Sequence, residues 1–331
     1  MSAPAASARA PVDSPDAPPR IGISACLLGQ EVRFDGGHKR DPFLTESFGR
    51  HVQWVPVCPE VELGLGVPRE TVRLERHADG LHLVAPKSGV DHTRAMERFA
   101  SRRVAALAAL GLDGFVLKKD SPSCGMERVR VHARGASAPA REGRGLFAAA
   151  LVEGLPLLPV EEEGRLHDPR LRESFVARVF AHRRLRRLFA RRWTVGDLVA
   201  FHASHKLELL AHSPEAYRTL GRLVAGAKGR RRAELRDEYE RRFMAALARP
   251  ATVGRQANVL QHCLGYFKRA LDPASRAELA SVIDDYRHGL VPLVVPVTLI
   301  RHHARRLGEP YLETQVWLAP HPKELMLRNH V

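Results

Sequence analysis

Three short apolar runs, Ile21-Gly-Ile-Ser-Ala, His51-Val-Gln-Trp-Val-Pro-Val and Gly114-Phe-Val-Leu-Lys, each give way to a turn, and a helical stretch, Thr93–Leu110, separates the last two. Strands that alternate with helices pair in parallel, because a crossover is needed to bring the chain back to the edge where it started. The pattern therefore predicts an α/β layer fold built on a parallel sheet. A further apolar segment, Gly145–Leu158, closes this half of the chain.

After Val160-Glu-Glu-Glu-Gly the texture becomes helical. Residues Arg170–Arg192 put Leu171, Phe175, Val179, Leu185 and Leu188 near helical spacing between arginines, which predicts an amphipathic helix with one basic face. Further helices are expected at Val195–His212, Pro214–Ala227, Arg231–Arg249, Arg255–Leu271, Pro273–His288 and Pro296–Leu307, most opened by Pro, Asp or Ser. The 331 residues thus divide into an Ala/Pro/Ser-rich tail with little to bury (1–19), an α/β domain (20–167) and an all-α domain (168–331).

The net charge of +15 is not shared evenly. Residues 1–166 carry 22 Lys and Arg against 21 Asp and Glu, whereas residues 167–331 carry 30 against 16. A solvated Arg-rich surface is one reading. An asymmetry this large also fits a polyanion partner, since clustered Arg neutralises phosphates with release of counterions. No apolar run has membrane-spanning length and the start lacks a secretory pattern, so the expected location is cytoplasmic, with no membrane and no obligate protein partner.

Four cysteines over this length do not make a disulfide framework. Three of them follow an apolar run: Ser24-Ala-Cys26, Pro56-Val-Cys58-Pro-Glu60 and Ser121-Pro-Ser-Cys124-Gly125. Loops beyond the C-terminal ends of parallel strands lie together, so these thiols can meet at one site. Buried structural cysteines are the plain alternative. Zinc normally takes four protein ligands, or adds His and carboxylate when catalytic. Three thiolates alone suit an iron–sulfur cube with one unligated iron.

Residues 21–165 resemble the thiouracil desulfidase family through Ser24–Gly37 (SACLLGQEVRFDGG), Pro56–Glu60 (PVCPE), Gly64–Glu70 (GLGVPRE) and Leu117–Gly125 (LKKDSPSCG). The resemblance implies a Rossmann-like fold, a [4Fe–4S] cluster on Cys26, Cys58 and Cys124, and non-redox desulfuration of thiouracil, with Glu60 as catalytic acid/base and Ser121 as the catalytic serine. From about residue 170 the chain is similar to a helical domain found behind desulfidase domains, through Ala200–Tyr217 and His262–Leu271. Two-domain members of that kind look like desulfidases of 4-thiouridine in tRNA, and the charge split points the same way.

Glu60 lies two positions after Cys58, within reach of a water or substrate at the open iron; a solvated loop carboxylate is its alternative. Ser121 either bonds or attacks the substrate, or fixes its Ser-Pro turn. Asp35, Lys118 and Ser123 are candidate substrate contacts, although Asp before Gly is an ordinary turn signal. Arg183, Arg184, Arg186 and Arg187 are candidate RNA-backbone contacts. His202, His205, Lys206 and His212 share a helix face without completing a metal site, and Cys263 reads as a small core residue. The expected activity is tRNA 4-thiouridine desulfuration. Free-thiouracil desulfuration and a cluster-bearing nucleic-acid sensor are its rivals.

Overall fold

The computed structural model describes residues 17–133 and 138–331, so most of the expected tail lies outside the described residues. The chain forms two compact units, divided between His167 and Asp168.

The first unit contains strands β1 (Arg20–Ser24), β2 (Gln53–Val57), β3 (Arg73–His77), β4 (Gly80–Val84), β5 (Gly114–Leu117), β6 (Val129–Ala133), β7 (Ala140–Gly143) and β8 (Val160–Glu162). Its helices are α1 (Pro59–Glu62), α2 (Thr93–Ala109) and α3 (Leu146–Gly154). One sheet has the order β2-β1-β5-β8 and is parallel throughout. Strand β2 is its edge, which is why Pro56, lacking an N–H for the ladder, is tolerated there. Gly22 in β1 lets the Phe115 ring lie against the backbone: a Cβ at that position would stand 2.1 Å from Phe115 Cδ2. Phe115, Phe147, Leu117 and Met96 pack in the core beside α2 and α3, each at 0% exposure.

The second sheet, β4-β3-β6-β7, is mixed: β3 pairs antiparallel with β4 and parallel with β6. Sequence reading did not anticipate it. The Asp79-Gly80 turn between apolar-alternating runs is its hairpin signal, and Gly80 takes φ 144° there.

The second unit contains only helices among the described residues: α4 (Pro169–Ala190), α5 (Val195–Ser204), α6 (Lys206–His212), α7 (Pro214–Ala225), α8 (Arg232–Leu247), α9 (Val253–Tyr266), α10 (Pro273–Arg287), α11 (Val294–Leu307) and α12 (Pro310–Glu313). Side-chain caps from Asp168, Thr194, Ser213, Thr252 and Asp272 open five of them. The single helix expected over Val195–His212 is two, because His205 leaves helical backbone at φ −105° and ψ 7°. No described helix is long and apolar enough to cross a membrane.

The arginines expected as an open RNA face do not form one. Phe175, Val179, Leu185 and Leu188 of α4 are buried, and so is Arg183, at 4% exposure. Arg184 donates from Nη2 to the Pro320 carbonyl, and Arg186 and Arg187 are half-buried. A helix of 22 residues packed around its circumference uses its cationic stems for packing as well as for charge.

Candidate active site

Each cysteine loop leaves the parallel sheet at the same edge. Cys26 sits in the 3-10 turn after β1, Cys58 is the N-cap residue of α1 after β2, and Cys124 lies in the turn after β5. The three thiols line one cavity of about 370 Å³ together with Glu60, Arg69, Lys118 and Ser121. Cys26 and Cys124 are buried, and Cys58 is half-buried.

Burial is the main influence on all three thiols. It pushes Cys26 up to about 11, with the Lys118 ammonium opposing. It raises Cys58, against a backbone N–H bond from Val61, and it raises Cys124 further, against a hydrogen bond with Ser24. The thiolate charges of Cys26 and Cys58 also disfavour ionisation of Cys124, which reflects their proximity. Thiols held protonated in this way are poor free nucleophiles; they become thiolates when a cation binds.

The donor set fits a multinuclear cluster better than one ion. Sulfurs sharing a zinc stand about 3.8 Å apart, from Zn–S bonds of about 2.3 Å in a tetrahedron. Among the described residues the one group of three ligand atoms lying within 4.8 Å of one another is His77, Asp79 and His82, not the cysteines. No described histidine lines the cavity to complete a mononuclear site. The hairpin group is exposed, and Asp91 and Asp79 take both ring nitrogens of His82 at 2.6 and 3.0 Å.

Glu60 is held from two sides. Arg69 donates to Oε2 from Nε at 3.0 Å and from Nη2 at 2.7 Å, and Ser123 Oγ donates to Oε1 at 2.9 Å. Both partners of this pair are largely buried, at 14% and 6% side-chain exposure. Arg69 is anchored in turn on the carbonyls of Val32 and Gly66, at 3.0 and 2.9 Å. Oε2 has both lone pairs engaged by Arg69, whereas Oε1 accepts only from Ser123 and keeps a lone pair for a proton.

Ser121 Oγ accepts from the Cys124 N–H at 3.0 Å and the Ser123 N–H at 3.3 Å, which fixes the Cys124 turn and leaves its own proton to donate. Gly145 makes that turn possible, since a Cβ there would lie 2.4 Å from the Ser123 carbonyl oxygen. The strand β8 end clamps the same segment. Glu162 Oε1 accepts from the Met126 N–H at 2.6 Å, and Glu163 Oε2 accepts from the Lys119 N–H at 2.7 Å while pairing with the Lys118 ammonium.

Two sequence-derived candidate substrate contacts, Ser123 and Asp35, stand outside the cavity wall. Ser123 is fully buried and does not line the cavity; its hydroxyl supports Glu60. Asp35 does not line the cavity either, and its Oδ1 accepts from the Gly37 N–H at 3.1 Å as a turn residue. Lys118 does line it. Arg69 and Glu163 were not singled out from the sequence. Arg69 stands in the quoted Gly64–Glu70 motif, but no spacing ties it to Glu60. Cys263 is in the helical core at 0% exposure.

A model of the 2-thiouracil desulfurase family matches residues 21–163, and one described as a protein of unknown function (DUF1722) matches residues 206–322. The uncharacterized protein YbgA of Escherichia coli (strain K12) is 34% identical over 161 residues, covering 48% of this chain and 95% of YbgA. The uncharacterized protein YbbK of Bacillus subtilis (strain 168) is 29% identical over 110 residues, 32% of this chain and 72% of YbbK. A solved [4Fe–4S]-dependent thiouracil desulfidase, TudS, is 33% identical; 48% of this chain and 99% of TudS are covered, with a TM-score of 0.38.

Proposed function

Since the chain belongs, through residues 21–163, to the 2-thiouracil desulfurase family, we propose that Cys26, Cys58 and Cys124 hold a [4Fe–4S] cluster and that the protein hydrolyses the C=S bond of 4-thiouridine in tRNA. The observation that carries this reading is the convergence of three desolvated thiols from three loops on one cavity that Glu60 and Ser121 also line. When bound, the cluster supplies a Lewis-acidic iron for sulfur.

The chain's own residues do the rest. Glu60, oriented by Arg69 and Ser123, takes a proton from the attacking water and returns it to the departing hydrosulfide or a ring nitrogen. Ser121, whose oxygen already accepts two N–H bonds, donates its proton to the pyrimidine; this favours hydrogen bonding over nucleophilic attack. Water adds to the thiocarbonyl carbon, the C–S bond breaks and hydrosulfide leaves, so no reductant is consumed. Glu60→Gln and Ser121→Ala are expected to keep the cluster absorption and lose turnover by about 100-fold, the ordinary contribution of a positioned proton-transfer group. Full activity in both variants would remove the chemistry from this wall.

The excess of cations in residues 167–331 supports RNA as the substrate carrier. With Arg183, Arg184, Arg186 and Arg187 packed, phosphate contacts need other cations, and among those that stay exposed without an acidic partner among the described residues we assign them to Arg218 and Arg222, one turn apart on α7, and Lys228. The deciding experiment is anaerobic reconstitution followed by assay on thiolated tRNA and on free 4-thiouracil. Replacing Arg218, Arg222 and Lys228 together by Ser should lower the salt slope of tRNA binding by about 2 to 3, equally for thiolated and unthiolated tRNA, and spare turnover of 4-thiouracil. Equal kcat/KM on both substrates and an unchanged slope would put free thiouracil first.

A further inference from the structure

The helical unit contains a second cavity, of about 620 Å³, which plays no part in the chemistry above. Its polar groups are mostly committed. Arg328 donates to Glu173 at 2.6 Å and to the Trp317 carbonyl at 2.7 Å. Tyr286 donates its hydroxyl proton to Gln256 Oε1, which leaves the Gln256 amide N–H groups to donate. Glu208 is different. This wall residue is 1% exposed, and its Oε2 is buried with no hydrogen-bond donor. Burial pushes it up to about 7, with the Arg184 and Arg328 charges opposing. A carboxylate kept this way, beside a roomy cavity, is an acceptor left for a guest.

The rim has the opposite character. Arg170 and Arg287 line the cavity from exposed positions, and no acidic side chain pairs with either among the described residues. Asp168, also at the rim, is spent as the α4 cap, its Oδ1 accepting from the Arg170 and Leu171 N–H groups at 2.8 and 3.0 Å. Trp317 and Tyr286 contribute aromatic wall. A guest that satisfies all of these features carries N–H donors, a flat ring and an anion. The space is that of an ordinary small-molecule site and exceeds what an amino acid fills.

We propose that this cavity binds a guanine nucleotide unit, with its N1–H and N2–H edge on the Glu208 carboxylate and its phosphate at Arg170 and Arg287. Guanine is preferred because it presents two adjacent N–H donors to the two carboxylate oxygens and an O6 acceptor to Gln256. The unit comes either from a free nucleotide or from an unstacked residue of an RNA strand. The inference does not depend on the desulfuration chemistry.

The test uses the full-length, anaerobically prepared protein and calorimetric titration with GMP, UMP and a short single-stranded RNA carrying one guanosine, against the same RNA with uridine in its place. GMP should bind at least 10-fold more tightly than UMP. Glu208→Gln, which presents an N–H to a donor edge, should cost GMP at least 10-fold. Arg287→Ser, exposed and therefore harmless to folding, should weaken GMP several-fold and leave guanosine unchanged. Preference for the guanosine RNA without binding of GMP assigns the site to RNA; GMP binding without RNA preference assigns it to the free nucleotide. No saturable binding of either, or binding indifferent to Glu208→Gln with that variant folded by circular dichroism, overturns the proposal.

Discussion

Replacing any one of Cys26, Cys58 or Cys124 by Ala is expected to abolish iron binding and turnover together, while Cys263→Ala keeps both. The parent protein should bind about four iron atoms per chain after anaerobic reconstitution. Each of the three thiols lines the same cavity, and no described histidine stands there to substitute for a lost ligand. Cys263 is the control because it is equally a buried thiol, fully enclosed in the helical core and pushed up to about 12 by burial. Its loss should lower stability by about 1 kcal/mol and nothing else. Iron and sulfide analysis of the four variants reads the result. Retention of a full cluster in any of the first three would remove that cysteine from the ligand set, and one zinc per chain with no iron would end the cluster assignment.

Mild acid should destabilise the protein well above the pH at which its carboxylates titrate. His202, His205 and His212 are 3%, 2% and 6% exposed. Burial holds them down to about 4, 3 and 4 from an ordinary 6.5, with cationic Lys206 adding to the effect at His202 and Arg184 at His205. Below pH 6.5 the unfolded chain therefore takes up protons that the folded chain refuses, and stability falls as pH drops from about 6.5 toward 4. At about 1.4 kcal/mol per pH unit for each group, the three together lose about 5 kcal/mol between pH 7 and 5. Glu208 works the other way. Its raised value means that folding favours its proton between about 4.5 and 7, so acidification returns about 2 kcal/mol. Across these four groups the balance is about 3 kcal/mol, a large part of an ordinary domain's 5–15 kcal/mol, and His321, likewise held down to about 4 by burial, adds to the loss. Urea midpoints followed by circular dichroism at pH 7, 6 and 5 measure it, and a midpoint that stays level would mean the histidines are not held neutral.

The parallel sheet was legible because β1, β2 and β5 are nearly pure apolar runs whose ends are marked by turn residues. The convergence of the cysteines followed from that topology alone. Strands β3 and β4 escaped notice since Arg, Glu and His interrupt their apolar positions, as suits a hairpin with a wet face. The helices of the second unit were readable from their periodicity and caps, but not the break at His205, where no Gly or Pro stands. Charge runs were the least reliable guide: Arg183, Arg184, Arg186 and Arg187 look like a solvated face in one dimension and are half-buried or buried in three. Ser123 shows the same limit at the site, since only the fold reveals that its hydroxyl supports Glu60 and does not reach the cavity.

The carboxylates that follow β8 give the site a direction in time. The turn bearing Cys124 is tied to Glu162 and Glu163, groups made after it during synthesis of the chain. The β5–β8 pairing that delivers them, with Phe115 opposite Val160, is likewise a late, long-range contact. The Cys124 turn is closed locally by Ser121, and its flanks gain the Glu162 and Glu163 anchors only when the last strand of the sheet docks. Closure of the sheet is the event that readies the cavity for loading.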